Sequence, residues 1–379
     1  MLTTTTATGR VLLTPRDIRQ AQQAFSTRRV PVEAMRILLT ERSQRPVAGQ
    51  LVLARVVSIG QHTRVELANG RRAQLYIGGN VILAYGNRYA PDQFEGMVPP
   101  DLAPCRLFAA GGLAGLVVAR HESMDEPTQI EPLGLIADER GVPLNLSDFA
   151  LPILPSPVPR PPVLMVCGTS MNSGKTHAAS FLVRGLTRLG YRVGALKVTG
   201  TGAGGDLWRM ADAGAVVTLD FTDAGHASTY RVPLEGLRAI PGCLLAALAG
   251  QAVEAVVMEV ADGLVQQETA ALLADSAFRE CVDGAIFCAG DALGADAGAT
   301  RLERLGYRLL AVSGTLTRSP LAVREASTLL RVPVLGPLEI ESPDCIAPLL
   351  PWQSQTGPRA GGSGNDLSMA KLARGAFAG

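Results

Sequence analysis

The chain has 379 residues, 47% of them hydrophobic, and a formal net charge of +1. That length suits two or three domains, and that apolar content supports a buried core and excludes a wholly disordered chain. The near-neutral balance, without a run of Lys or Arg, gives no electrostatic case for nucleic acid or an anionic membrane surface.

Six cysteines are scattered singly with no Cys-x-x-Cys pair. Neither a disulfide framework nor a zinc site is therefore expected, and a reducing cytoplasm is the expected home. The opening MLTTTTATGR lacks the apolar core of a secretory signal, and no unbroken apolar run reaches the roughly 18 residues of a membrane-spanning helix. Positive charge is almost all arginine, 32 Arg against Lys175, Lys197 and Lys371. Lys is a compact, mobile point charge and Arg a planar fork. A chain that keeps Lys at so few places is expected to need the point charge there.

Along the chain, Thr14-Pro15 reads as an N-cap followed by proline at the first helical position, opening a helix to about Phe25. A second short helix is expected near Val32 to Leu39, so residues 1–44 read as a helical segment. The pattern then changes to short β-rich runs punctuated by Gly and Asn, and ANG at Ala68–Gly70 is a hairpin signal. Residues 45–150 are expected to form a small β-barrel or sandwich. LPILPSPVPRPP, at 151–162, carries six prolines in twelve residues and reads as an extended linker.

After the linker the pattern is strand, loop and helix in repetition. Strands are expected at 162–167, 193–198, 216–220, 255–260, 284–289, 308–313 and 332–335, most of them continuously apolar as in strands buried on both faces. His177 to Leu189 places Ala178, Phe181, Leu182, Leu186 and Leu189 on one helical face, with Gly190 as a stop. The expected fold class is α/β: a doubly wound, mostly parallel sheet over 163–352, preceded by the β-barrel-like domain. The tail from 353 to 379 is expected to be flexible. In such a sheet ligands sit at the carboxyl ends of the strands, so the residues that follow each strand carry the functional reading.

The first such loop is GTSMNSGKT, Gly168 to Thr176. Gly174-Lys175-Thr176 closes a phosphate-binding loop, although the leading glycine stands one residue earlier than the strict spacing requires. Thr169, Ser170, Met171, Asn172, Ser173, Gly174, Lys175, Thr176 and His177 are the expected nucleotide-binding residues. Their amides would form an anion nest at a helix N-terminus, Lys175 would reach the β- and γ-phosphates, and Thr176 would offer its hydroxyl to Mg²⁺.

GTSMNSGKT resembles the loop of dethiobiotin synthetase and the related cobyrinic acid amide synthases. The resemblance extends to Lys197 in GALKVTGTG and to Glu259 in VVMEVADG, over roughly residues 162–340. It implies a P-loop fold, phosphate and substrate contacts by Lys197, and Mg²⁺ bound by Glu259. Members of that superfamily commonly build the site across a dimer, so a homodimer is expected. The sequence departs from the family where Val260-Ala261-Asp262 replaces a Gly-Ala-Gly turn, and the family's substrate loops are not matched.

The remaining polar positions are less specific. The glycine-rich run after Lys197 suggests a backbone that approaches a ligand closely. Asp206 is read either as a second metal or substrate contact or as a helix N-cap. Thr199, Gly200, Thr201, Asp220 and Asp262 are candidate substrate contacts, and His226 a candidate base or a polar loop residue. Gln266, Gln267 and Glu268 are placed over the nucleotide or substrate, and Ser313, Thr315 and Arg318 near the base. No Asn-Lys-x-Asp guanine motif is present, so ATP is expected and GTP is the alternative. The main expectation is a Mg²⁺-dependent ligase or kinase acting on a small-molecule carboxylate or similar oxygen, with Lys175, Lys197 and Glu259 catalytic. A nucleotide-switch chaperone for cofactor or metal delivery, a coenzyme A-holding acyltransferase and a scaffold with a vestigial loop are the alternatives.

Overall fold

The computed structural model describes residues 9–152 and 160–352. Most of the proline-rich linker and the tail after 352 lie outside the described residues.

The N-terminal half is built from β1 (Arg10–Leu12), α1 (Pro15–Gln20), β2 (Gln22–Gln23), β3 (Ile37–Leu39), β4 (Leu51–Ser58), β5 (Arg64–Glu66), β6 (Arg72–Gln74), β7 (Asn80–Tyr85), β8 (Phe94–Met97), β9 (Cys105–Ala109), β10 (Leu113–Arg120) and β11 (Thr128–Ala137). β4 pairs β7, β7 pairs β10, β10 pairs β9, β9 pairs β11 and β11 pairs β4. That ring closes on itself, which removes exposed edges from these five strands. Val52, Ala54, Leu83, Tyr85, Leu107, Ile130 and Leu135 fill one face of it, as the alternation of inward and outward side chains requires.

The N-terminal segment departs from the expected helices. Thr14 does cap α1, in a reciprocal pair with Asp17, but the helix ends at Gln20. Gln22 and Gln23 pair with Val81 and Ile82 of β7, so the next residues join the sheet. The expected second helix is replaced by a 3₁₀ turn at Val32–Ala34 and by β3, whose Ile37, Leu38 and Leu39 lie between β1 and β11. Tertiary pairing has overridden local pattern here.

The C-terminal half is β12 (Val163–Gly168), α2 (Lys175–Arg188), β13 (Val193–Lys197), α3 (Gly205–Asp212), β14 (Val217–Asp220), α4 (Leu234–Ala247), β15 (Ala255–Glu259), α5 (Gln267–Ala274), α6 (Ser276–Glu280), β16 (Gly284–Cys288), α7 (Ala292–Arg304), β17 (Leu309–Ser313), α8 (Pro320–Leu329), α9 (Pro337–Glu341) and α10 (Pro343–Ile346). The six strands are parallel in the order β14-β13-β15-β12-β16-β17. Val163, Met165 and Cys167 face one helical layer with Leu237, Leu244, Leu272 and Leu302. Leu164 and Val166 face the other, with Ala179, Leu182 and Leu186 of α2 and Met210 of α3. Burial on both faces explains the uninterrupted apolar strands. The expected seventh strand is only a bridge from Val334 to Val312. Pro333 has no amide to extend the ladder and Pro337 opens α9.

The two halves pack closely. Phe25 joins the α2 and α3 layer and meets Trp208 edge-on, with ring centroids 6.4 Å apart. Arg28 donates to Asp223 at 2.6 Å and Asp220 at 3.3 Å, and Glu66 accepts from the Gly204 amide at 2.8 Å. A Cβ on Gly111 would stand 1.8 Å from the Gly202 carbonyl oxygen, so only glycine fits at this contact. Of the glycines after Lys197, Gly204 packs against Phe25 and Trp208 and Gly202 presents its carbonyl to Gly111, so part of this run serves the contact between the halves. Among the described residues no helix is long and apolar enough to cross a membrane.

Candidate functional site

The central strand β12 delivers the loop and α2 leaves it. Gly174 caps α2 at φ 98°, a left-handed conformation that a Cβ would strain, and no side chain caps the helix. The amides of Gly174, Lys175, Thr176 and His177 hydrogen-bond no described residue. They are orphan donors at the positive end of the helix dipole, the arrangement that receives an anion. Thr169 is tied to the sheet through its amide to Cys288 O at 2.9 Å, and the Ser173 carbonyl accepts from Thr315 N at 3.0 Å. The segment after β17 therefore backs the loop.

Three neighbouring strand ends supply the charged groups. Lys175 Nζ donates to the carbonyls of Ser170, at 2.6 Å, and Asp262. Burial pushes its pKa down, against the pull of Glu259 and Asp262. Thr176 donates its hydroxyl hydrogen to Glu259 Oε1 at 2.9 Å. From β13, Lys197 is paired with Asp206 and stands 3.8 Å from Glu259. Burial opposes the charge on Lys197, but Asp206, Glu259 and Asp262 outweigh it and hold the ammonium above its usual pKa. Burial pushes Glu259 and Asp262 up, with the two lysines opposing. For Asp206, burial is outweighed by Lys197, which holds the carboxyl down.

These groups open into one cavity of about 610 Å³. Met171, Asn172 and Gly174 to His177 line it from the loop, Lys197, Gly205, Asp206 and Arg209 from one flank, and Glu259, Ala261 and Asp262 from the strand between. Thr315 and Arg318 line the other flank, and Arg72 enters from the β5–β6 hairpin.

Other expected site residues lie elsewhere. Asp220 is buried and engaged by Arg28 and Thr222, so it holds the two halves together and does not line the cavity. Thr199 is buried against the Ala261 carbonyl, the Gly200 amide is bound by Thr229, and Thr201 bridges Ser228. Gln266 caps α5 and Glu268 accepts from Arg231 N at 2.7 Å, so that segment is structural. Ser313 is buried within the strand end. His226 is absent from the cavity lining, while His177 lines it and packs on Phe181 at 4.7 Å. Sequence reading missed Arg72 and Arg209. Arg209 was findable, three residues beyond Asp206 on one helix face; Arg72 arrives through long-range docking that no local pattern encodes.

The residues present fit a magnesium ion. Glu259 Oε2 is buried without a hydrogen-bond partner among the described residues, and Oε1 holds the Thr176 hydroxyl. No group of three or more His, Cys, Asp or Glu among the described residues could hold a metal. One or two carboxylates completed by phosphate oxygens are what Mg²⁺ takes.

A parallel sheet with this loop after its central strand, Lys and Thr opening the helix and an acidic residue at the adjacent strand end define a P-loop NTPase domain. No protein-family model matches the chain, and no curated protein matches it. Solved structures similar to it include the signal recognition particle 54 kDa protein from Aeropyrum pernix K1 in complex with GDP, at 17% identity over 52% of this chain and 48% of that one, TM-score 0.35. Others are the kinase domain of Escherichia coli tyrosine kinase ETK, at 16% over 40% and 66%, TM-score 0.30, and a LAO/AO transport system kinase, at 20% over 50% and 57%, TM-score 0.31. The chain thus spans about half the length of the first of these. The assignment to the P-loop class rests on this chain's own strand, loop and helix.

Proposed function

We propose that the protein is a Mg²⁺-dependent enzyme that transfers the γ-phosphoryl group of a nucleoside triphosphate to an oxygen of a small-molecule acceptor, as a kinase or a ligase of the dethiobiotin synthetase type. The observation that carries this reading is the convergence of Lys175, Thr176, Lys197 and Glu259 on one cavity. The orphan amides and Lys175 would hold the β- and γ-phosphates, with Nζ exchanging the Ser170 and Asp262 carbonyls for phosphate oxygens. Thr176 and Glu259 would hold Mg²⁺, which when bound neutralises charge developing on the phosphates. Lys197, kept charged by its three carboxylates, stands where it can stabilise the transferred group. The nucleotide is taken as ATP, with GTP as the alternative.

A second reading is a nucleotide switch. Asn172 of the loop, at φ 61°, donates to Asp92 of the barrel, a contact that loop rearrangement on nucleotide binding would alter. Calorimetric titration of ATP, GTP and coenzyme A, with and without Mg²⁺, tests the class on the natural chain and on Lys175→Ala. Mg²⁺-dependent binding of one triphosphate, lost in the variant, is expected. Binding of coenzyme A alone, or of nothing, overturns the phosphoryl-transfer reading.

A further inference from the structure

The β5–β6 hairpin reaches across to the parallel sheet, and its docking has specific anchors. Buried Glu66, the last residue of β5, accepts the Gly204 amide at 2.8 Å. At the turn, the position of a Cβ on Gly70 lies 3.0 Å from Trp208 Nε1 on α3. These contacts fix Arg72, the first residue of β6, at the cavity mouth. Its Nη2 lies 3.7 Å from where a Cβ on Gly205 would stand, beside the first turn of α3. Arg72 lines the same cavity as Lys175, Lys197 and Glu259; its exposed guanidinium acts electrostatically on the Glu66 carboxylate beside it on the hairpin. The barrel thus presents a guanidinium to the site from outside the P-loop domain. It enters on the Lys197 and Asp206 flank, opposite Thr315 and Arg318, which follow the far strand β17.

We propose that Arg72, with Arg209 beside it on α3, binds an oxyanionic group of the phosphoryl acceptor, a carboxylate or a phosphate monoester, and so makes the barrel the substrate-recognition module of the enzyme. The proposal rests on the phosphoryl-transfer reading above for the identity of the neighbouring ligand. A guanidinium fork suits a planar carboxylate or a phosphate by paired hydrogen bonds. The two-sided origin of the site means that acceptor binding ties the barrel to the parallel sheet.

The test uses the full chain saturated with Mg²⁺ and a non-hydrolysable ATP or GTP analogue, so that the loop is filled. Malonate and methyl phosphate are titrated in separately by calorimetry, on the natural chain, Arg72→Gln and Arg71→Gln, the latter an exposed neighbour outside the cavity lining. At least one anion is expected to bind the natural chain. Arg72→Gln should weaken that anion at least tenfold and change the nucleotide Kd by less than twofold, while Arg71→Gln changes the anion Kd by less than twofold. The stronger of the two anions names the acceptor chemistry. Absence of binding by both anions, or equal binding by Arg72→Gln, overturns the proposal. So does a nucleotide Kd raised by Arg72→Gln as far as by Lys175→Ala, which would make Arg72 a nucleotide contact. If no nucleotide analogue binds the natural chain, the phosphoryl-transfer reading fails by itself, and the same anion titration without nucleotide, on Lys175→Ala with and without Arg72→Gln, still reports on Arg72.

Discussion

Lys197→Met tests whether the buried charge cluster is held together by one ammonium. Lys197 is 8% exposed and faces Glu259, 1% exposed, at 3.8 Å, together with Asp206 and Asp262. Removing one partner of a buried pair costs about 3–5 kcal/mol because the remaining charge is left uncompensated. The side chain of Asp206 is 32% exposed, and water screens its share. About 2–3 kcal/mol remains, which lowers the melting temperature by roughly 4–12 °C for a domain of this size. The loss must also depend on pH. Burial already holds Glu259 above its usual value, and without Lys197 it rises further. A carboxyl with a raised folded pKa carries no penalty below its unfolded pKa, and the penalty grows as pH rises through the folded value. Thermal unfolding at pH 5 and pH 8 should therefore show the larger loss at pH 8. Equal losses at the two pH values, or a loss below about 1 kcal/mol at both, would refute the charge-cluster reasoning.

Glu259→Gln keeps the Thr176 hydrogen bond but removes the metal-seeking charge; the Mg²⁺ dependence of nucleotide affinity should fall at least tenfold by calorimetry, and an unchanged dependence would place the metal elsewhere. Arg28→Ala leaves Asp220 and Asp223, 1% and 5% exposed, without their main cation. A stability loss of about 3 kcal/mol is expected by denaturant titration, and none would show that the two halves do not depend on this pair. Gly111→Ala places a methyl group 1.8 Å from a backbone oxygen, and should cost about 1–3 kcal/mol and weaken anion binding through Arg72. His62 is pushed down to about 4 by burial and then by Arg88. An NMR titration should find it neutral at pH 6, with stability falling as pH drops from about 6.5 toward 4, because the unfolded chain takes the proton first; a midpoint above 6 would contradict that environment.

The parallel sheet was legible because burial on both faces writes itself as continuous apolar runs, and the loop because its chemistry is local to nine residues. Lys175, Thr176, Lys197, Glu259 and Asp262 all follow or end strands that the apolar runs marked. The N-terminal domain was legible as a small β-barrel or sandwich, but its strand pairing was not, since closure depends on β9 pairing both β10 and β11. AMRILL at 34–39 shows the limit of periodicity, because a short apolar run serves a helix or a strand and partners decide. Among the glycines after Lys197, only Gly205 lines the cavity. Glycine signals close approach but not by what, and at Gly202 a Cβ would meet the Ala227 carbonyl oxygen and Thr222 at 2.8 Å, not a ligand. Asp220 likewise sits at a strand end, where the sheet would present it to a ligand, yet Arg28 from the N-terminal segment claims it.

The two lysines of the site explain themselves by their surroundings. Lys175 Nζ sits between two backbone carbonyls, and its stem passes 3.0 Å from where a Cβ on Gly168 would stand. Lys197 is enclosed by three carboxylates, its Cε 3.2 Å from the corresponding position on Gly200. Each stem passes a glycine whose missing side chain leaves it space, and each places a compact ammonium among the carbonyls or carboxylates where Arg would place a planar fork. An arginine-rich composition would supply Arg if charge alone mattered. Lys175→Arg and Lys197→Arg are therefore expected to behave as losses: the first should weaken Mg²⁺–nucleotide binding at least tenfold, and the second should destabilise by about 1–3 kcal/mol through overpacking. Wild-type affinity in Lys175→Arg would mean that the loop needs only positive charge at that place, and the geometric account of both lysines would fall with it.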